Sequence, residues 1–118
     1  MPAEDLIREL KGRGYAVQDA LVIANGSQFV IVDPYPVELG QHAGKKIAIA
    51  FAMPGDYPFT PPGGIHVKPH LIPVGTRNVN PSPLGSEWQY WSRPIRDWRK
   101  ERSASRLLSH VNRLMLDA

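Results

Sequence analysis

Cysteine is absent from the 118-residue sequence. This absence excludes a disulfide framework, a thiolate metal site and a thiol nucleophile, because each of them requires a cysteine sulfur. The four histidines are scattered along the chain without the spacing of metal ligands. The sequence therefore predicts no metal site and no cofactor.

Long apolar runs are missing too. No stretch approaches the roughly 18 apolar residues needed to cross a bilayer, and the N-terminal residues lack the basic start and apolar core of a signal peptide. With 42% hydrophobic and 21% charged residues, the composition is typical of a globular protein. We therefore expect one domain over residues 1–118, in the cytoplasm and without a membrane partner.

The first half of the sequence predicts a helix followed by strands. Leu6, Ile7 and Leu10 share one face of a short helix, which ends at Gly12 and Gly14. The strands are expected at residues 16–23, 28–32 and 46–53. The first two are joined by a hairpin turn at residues 25–26, Asn-Gly, and residues 33–36, Asp-Pro-Tyr-Pro, are expected to end the second strand.

Prolines dominate the next part, since nine of the twelve lie within residues 54–94. Long regular elements are therefore not expected there. Residues 65–67 predict a short fourth strand, 75–85 an exposed loop, and 88–91 either a further short strand or an aromatic plug. A C-terminal amphipathic helix follows, with Ser103 or Ser105 as its N-cap. Its buried face consists of Leu107, Leu108, Val111, Leu114 and Met115.

The most specific motif lies at residues 54–62, which read Pro-Gly-Asp-Tyr-Pro-Phe-Thr-Pro-Pro. It resembles the Pro-x-Asp-Tyr-Pro-Phe-x-Pro-Pro turn of the ubiquitin-conjugating (UBC) superfamily, and the order of the surrounding elements is similar. The resemblance implies an α+β, UBC-like fold with a four-stranded antiparallel meander between the two helices. Tyr57 and Phe59 are expected to anchor the turn by burying their rings.

One long C-terminal helix, without the further helices of typical family members, makes the chain similar to prokaryotic UBC-like proteins. These are encoded beside activating-enzyme-like, ubiquitin-like and JAB-peptidase-like genes. The resemblance thus implies two partners, an activating-enzyme-like protein and a ubiquitin-like modifier.

In the UBC family a cysteine follows the proline turn, after a His-Pro-Asn loop and before a tryptophan. This chain has no His-Pro-Asn, and three serines compete for the place of the cysteine. Ser82 lies at about the family's distance from the turn, Ser86 follows a glycine, and Ser92 is closest to Trp98, the counterpart of the family's tryptophan. The spacing does not decide among them.

Other side chains in this stretch could support a serine. Asn78 and Asn80 are amide donors that could stabilise an oxyanion, as the family's asparagine does. A serine hydroxyl is a weak nucleophile unless a base lies beside it, and His66 and His70 are the candidate bases. The alternative for each serine is a turn or capping role, and for each histidine a structural one.

Candidate partner-binding residues come from two segments. Arg96 and Arg99 belong to a basic run over residues 93–106, which predicts either a docking surface for an acidic partner or a solvated face. Arg8 lies on the N-terminal helix, the family's docking site for the activating enzyme, although the polar face of this helix has mixed charge. Trp98 is placed with this partner-binding group.

Three functions follow from the sequence. The favoured one is an atypical conjugating enzyme that accepts the modifier from the activating enzyme, with a serine oxyester in place of a thioester. The alternative is a non-catalytic UBC variant that binds the modifier or a partner enzyme. A third is an unrelated binding module for RNA, with Trp88, Tyr90 and Trp91 as stacking groups, but the net charge of +3 gives it little support.

Overall fold

A computed structural model describes residues 2–18 and 22–118. The described part of the chain forms two α-helices, a six-stranded antiparallel sheet and one turn of 3₁₀ helix. The strands lie side by side in the order β1-β2-β3-β4-β6-β5. In chain order the elements are α1 (Pro2–Gly12), β1 (Val22–Ala24), β2 (Ser27–Pro36), β3 (Lys46–Ala52), β4 (Ile65–Lys68), β5 (Val79–Ser82), β6 (Gly85–Trp91), the 3₁₀ turn (Trp98–Lys100) and α2 (Ala104–Asp117).

The α+β class is confirmed, but the four-stranded meander is wrong. The additional strands are the hairpin of β5 and β6 at the far edge of the sheet, and β5 lies inside the segment predicted to be a loop. The sequence of β5 does not indicate a strand, because only Val79 is buried and the segment contains Pro81. An edge strand tolerates both features, since one of its sides needs no ladder hydrogen bonds. Residues 88–91 are strand, as one of the two interpretations proposed.

The first hairpin forms where the sequence predicts it. Asn25 and Gly26 both have positive φ, 51° and 78°, as a type I′ turn requires. The first strand is shorter than expected: residues 22–24 form β1, Val17 makes only an isolated bridge with Val32, and residues 19–21 lie outside the described residues.

The predicted end of the second strand is wrong. β2 continues to Pro36 through a bulge between Val32 and Tyr35, after which Tyr35 pairs with Ile47. A bulge accommodates Pro34, and the buried Tyr35 fixes the continued strand because its hydroxyl donates to Asn112 Oδ1 on α2 at 2.9 Å.

Both helices pack on one face of the sheet, in one core with the inward-facing residues of β3. Leu6 and Leu10 of α1 and Leu107 and Val111 of α2 are fully buried there. The opposite face carries a smaller apolar cluster, which consists of Phe29, Ile31, Ala48, Ala50 and Trp88. Neither helix in the described part of the chain has the length and apolar character to cross a membrane.

The N-terminal end of α2 is hydrogen-bonded to a side chain of α1. Ser103 is the N-cap residue of α2, as one of the two predictions had it, but its hydroxyl donates to Glu101 at 2.7 Å and does not cap the helix. Instead, Glu9 Oε2 of α1 accepts the N–H of Ala104 at 2.8 Å. The carboxylate thus satisfies one of the free N–H groups at the start of α2.

The proline turn is held by Trp98. The indole Nε1 donates to the carbonyl of Pro58 at 2.7 Å, and the ring centroid lies 5.9 Å from that of Tyr57. Tyr57 is buried as predicted, but the burial expected for Phe59 is wrong, since its side chain is 71% exposed. Its ring contacts the guanidinium of Arg102 instead, 5.4 Å from the centroid.

Candidate functional site

All three candidate serines lie on the β5–β6 hairpin or directly after it. Ser82 ends β5, Ser86 is the second residue of β6, and Ser92 follows the end of β6. In the register of the hairpin Ser82 faces Gly85, whereas Val79 faces Trp91. Ser92 lies beside Asn78, four residues before Ser82 on β5, so Ser82 and Ser92 are about 14 Å apart at 3.4 Å per residue. They cannot share one site.

Ser82 is paired with a histidine. His66 lies on β4, and β6 runs between it and β5. The His66 Nδ1 and Ser82 Oγ atoms are 2.8 Å apart, and Ser82 Oγ also accepts the N–H of Leu84 at 3.1 Å. In the neutral tautomer of His66 that carries its proton on Nε2, Nδ1 accepts the hydroxyl proton of Ser82; in the other tautomer Nδ1 donates to Ser82 Oγ. The structure thus joins a candidate nucleophile to one of the two candidate bases.

The surroundings of His66 keep it neutral. Its side chain is 4% exposed, stacked on the ring of Tyr90 at 4.7 Å and edge-on to Phe29 at 4.9 Å. This burial lowers the pKa of His66 to about 4, because a low-dielectric environment disfavours the charged form. At neutral pH Nδ1 is therefore free to accept a proton, but the pKa lies well below that of an optimal general base.

The other two serines have different surroundings. Ser86 is exposed, and Ser92 is half-buried and donates its backbone N–H to the carbonyl of Asn78 at 2.9 Å. Neither hydroxyl is hydrogen-bonded to another group within residues 2–18 and 22–118. Of the three serines, Ser82 has the partner that nucleophilic chemistry needs.

The remaining candidates are Asn78 and Asn80, at the start of the same hairpin, and His70, in the segment between β4 and β5. Asn78 is exposed with a φ of 60°, and Asn80 is exposed on β5, two residues before Ser82. His70 donates from Nε2 to the backbone oxygen of Trp88, 3.0 Å away. The structure therefore brings His66, and not His70, into contact with a serine.

A buried glutamine beside this hairpin was missed by the sequence analysis. Gln89 is completely buried, and its Oε1 accepts the N–H groups of Leu71 and Ile72 and the indole N–H of Trp91 at 2.9–3.1 Å. Its Nε2 donates to the carbonyl of Ile72 at 2.7 Å. The alternation of β6 is the signal that could have found it, since Gln89 shares the inward face with Trp91.

The candidate partner-binding residues are dispersed. Arg8 is exposed on α1 and pairs with Asp5 at 3.3 Å. Arg96, before the 3₁₀ turn, and Arg99, within it, are exposed and line two different grooves. Trp98 is 5% exposed, so little of its ring is available to a partner.

The aromatic residues of β6 offer little stacking surface. Tyr90 is half-buried, and the ring of His66 is stacked on it at 4.7 Å. Trp91 is buried in the main core, and Trp88 is buried in the smaller cluster, where Lys68 Nζ lies 5.3 Å from the centroid of its ring. This disfavours the RNA-binding hypothesis, because stacking requires exposed ring faces. Within residues 2–18 and 22–118 no group of three acidic or histidine side chains is arranged to hold a metal ion.

A protein-family model matches the chain. The sequence model of a protein family described as prokaryotic E2 family E matches residues 2–116, which is nearly the whole chain; E2 is the general name of ubiquitin-conjugating enzymes. No curated protein and no solved structure matches the chain.

Proposed function

We propose, because the chain belongs to prokaryotic E2 family E, that it works as a single UBC-like domain in a bacterial ubiquitin-like modification pathway. It accepts a ubiquitin-like modifier from an activating-enzyme-like protein and carries the modifier as an oxyester on Ser82. The observation that supports Ser82 over Ser86 and Ser92 is the 2.8 Å contact between its hydroxyl and His66 Nδ1.

The proposed step begins with the modifier held on the activating enzyme as a thioester. Ser82 Oγ attacks the carbonyl carbon, so that a C–O bond forms and the C–S bond breaks. The hydroxyl proton passes to His66 Nδ1 and then to the departing thiolate. Asn80 is the proposed amide donor to the oxyanion that forms in between. We expect the transfer to be slow, because the pKa of His66, about 4, makes its imidazole a weak base.

The experiment is intact-mass analysis after incubation with the cognate activating enzyme, the modifier and ATP. We expect an adduct of one modifier that hydroxylamine removes. Ser82→Ala should abolish the adduct, whereas the matched variants Ser86→Ala and Ser92→Ala should retain it. His66→Gln should slow its formation, because glutamine offers no basic nitrogen. An adduct that survives Ser82→Ala would refute Ser82 as the nucleophile. An adduct lost only in Ser92→Ala would identify Ser92 as the nucleophile, with Asn78 beside it.

A second candidate function is binding without transfer, and one observation favours it. Both hydrogen bonds of the Ser82 hydroxyl, to Leu84 N and to His66, are those of a serine that stabilises a hairpin turn. In this case the wild-type protein forms no adduct but binds the modifier or the activating enzyme in a pull-down. The absence of an adduct with the wild-type protein distinguishes binding from transfer, because non-covalent docking does not require Ser82 under either hypothesis.

Docking of the activating enzyme is proposed for Arg8, Arg96 and Arg99. All three are exposed and lie outside the His66–Ser82 contact. Reversing Arg96 and Arg99 to glutamate should weaken the pull-down and slow adduct formation, mainly through a lower association rate. Arg8→Glu tests α1 separately, and an unchanged pull-down would remove α1 from the proposed interface.

A further inference from the structure

A groove of about 780 Å³ lies between α2 and the segment that follows β6. We call it the arginine groove, because four arginines line it. Three of its α2 residues, Arg106, His110 and Arg113, are spaced by four and three positions and therefore share one face of the helix. The basic side chains that line it are Arg93, Arg96, Arg106, His110 and Arg113.

The charges in the arginine groove are not balanced. Two carboxylates, Asp97 and Asp117, line it as well, and Asp97 already lies 3.8 Å from Lys100 Nζ. Within residues 2–18 and 22–118 none of the four arginines forms an ion pair. The groove is therefore positively charged and offers guanidinium groups that can bind carboxylates in a bidentate manner.

Two nitrogen atoms of the arginine groove are buried without a hydrogen-bond partner in the described part of the chain. They are Arg106 Nε and His110 Nε2, one turn apart on α2. Buried polar atoms are usually paired, so these two nitrogens are available for hydrogen bonds to a bound group. Burial and the charges of Arg93 and Arg113 lower the pKa of His110, against the opposing effect of a hydrogen bond to the backbone of Arg93. A bound anion would raise this pKa.

We propose that the arginine groove binds an acidic peptide segment of a protein partner through carboxylates of that segment. The α2 residues from Arg106 to Arg113 extend over about 10 Å, enough to contact more than one carboxylate. Leu114 and the 57% exposed Leu116 line the same groove and provide an apolar contact for a peptide. Nucleic acid fits less well, because Trp88 and Trp91 are buried and offer no stacking surface.

The test uses a fluorescein-labelled oligoglutamate peptide and measures fluorescence anisotropy at low salt. Oligoglutamine and single-stranded oligouridylate of equal length are the comparison probes. We expect binding of oligoglutamate only, with amide NMR shifts centred on residues 93–96 and 106–113. The NMR titration of His110 should show its pKa rising when oligoglutamate is bound. No modifier or activating enzyme is present, so the result does not depend on the transfer reaction.

Matched variants separate the groove from general charge. Arg113→Glu should lower the affinity by about tenfold or more, since it places a repelling charge in the groove. Arg13→Glu makes the same change of charge at an exposed residue after α1, outside the groove, and should alter the affinity by less than about twofold. Arg113→Lys should retain most of the binding.

The proposal fails if Arg13→Glu and Arg113→Glu weaken binding equally, because the attraction would then be non-specific. It also fails if oligouridylate binds more tightly than oligoglutamate, or if the pKa of His110 does not respond to the peptide. Circular dichroism of each variant checks that the fold is retained. If Arg113→Glu does not fold, Arg106→Met gives the same test, since it removes the buried Nε donor and the charge and keeps an unbranched side chain.

Discussion

Replacing Gln89 with leucine should destabilise the protein more than any surface change. Leucine fills a similar volume, so the loss comes from the hydrogen bonds and not from a cavity. The groups left without partners include Ile72 N, Ile72 O and Trp91 Nε1, whose bonds to Gln89 are all buried. Each unpaired buried group costs about 1–3 kcal/mol, so we expect a loss of about 3–5 kcal/mol after some relaxation. This is a large part of the free energy of unfolding of a typical domain, about 5–15 kcal/mol.

The assay is urea unfolding followed by far-ultraviolet circular dichroism. A loss of about 3–5 kcal/mol lowers the midpoint by about 2 M, since urea slopes for small proteins are about 1–3 kcal/mol per M. Gln28→Leu is the matched control, because Gln28 is half-buried on β2 and its side chain has no hydrogen bond within residues 2–18 and 22–118. We expect the control to change the stability by less than about 0.5 kcal/mol.

A loss below about 1 kcal/mol for Gln89→Leu would refute the reasoning, because it is the size of one ordinary hydrogen bond. The segment at Leu71 and Ile72 would then be held against β6 by other contacts. The result also concerns the candidate site. Gln89 follows Trp88, whose carbonyl accepts the hydrogen bond of His70, so loss of the Gln89 network should release His70 as well.

Two further predictions concern single contacts. Acid should destabilise the protein through His66: the native pKa of about 4 lies below the ordinary 6.5, so the unfolded chain binds the proton first as the pH falls. The contribution is fully present above pH 6.5 and decreases by about 2–3 kcal/mol between there and about pH 4. His66→Gln should remove that part of the pH dependence in urea titrations, and an unchanged curve would refute the burial argument. Glu9→Ala should cost about 1 kcal/mol, since Glu9 accepts the N–H of Ala104, and Glu9→Gln should retain most of the stability in thermal unfolding; equal losses would exclude the hydrogen bond as the cause.

The elements with strong periodicity could be predicted from the sequence. The apolar face of α2 and the alternation of β3 each identify their own element, because the buried residues recur with the period of a helix or a strand. β5 could not be predicted in this way, since Val79 is its only buried residue. The extension of β2 was missed for another reason: its prolines indicate a break, but a bulge accommodates Pro34, and Tyr35 is held in the core and by its hydrogen bond to Asn112.

The sequence identified His66 and Ser82 as separate candidates but not their contact with each other. His66 and Ser82 are separated by sixteen positions, and their contact depends on β6 lying between β4 and β5. No local pattern specifies this strand order. The arginine groove is a similar case, since the basic run predicted Arg93 and Arg96, whereas Arg113 joins them only because α2 packs beside that segment.

The positions of the two proposed sites imply that they act independently. His66 and Ser82 lie near the β5–β6 turn, and His66 contacts Phe29 in the apolar cluster on the face opposite the helices. Asn78, which lines the arginine groove, lies at the other end of the hairpin, four residues from Ser82 along β5 and thus about 14 Å away. At such a separation substitutions usually add without coupling. Combining Ser82→Ala with Arg113→Glu should therefore remove the adduct and the peptide affinity to the same extent as each change alone.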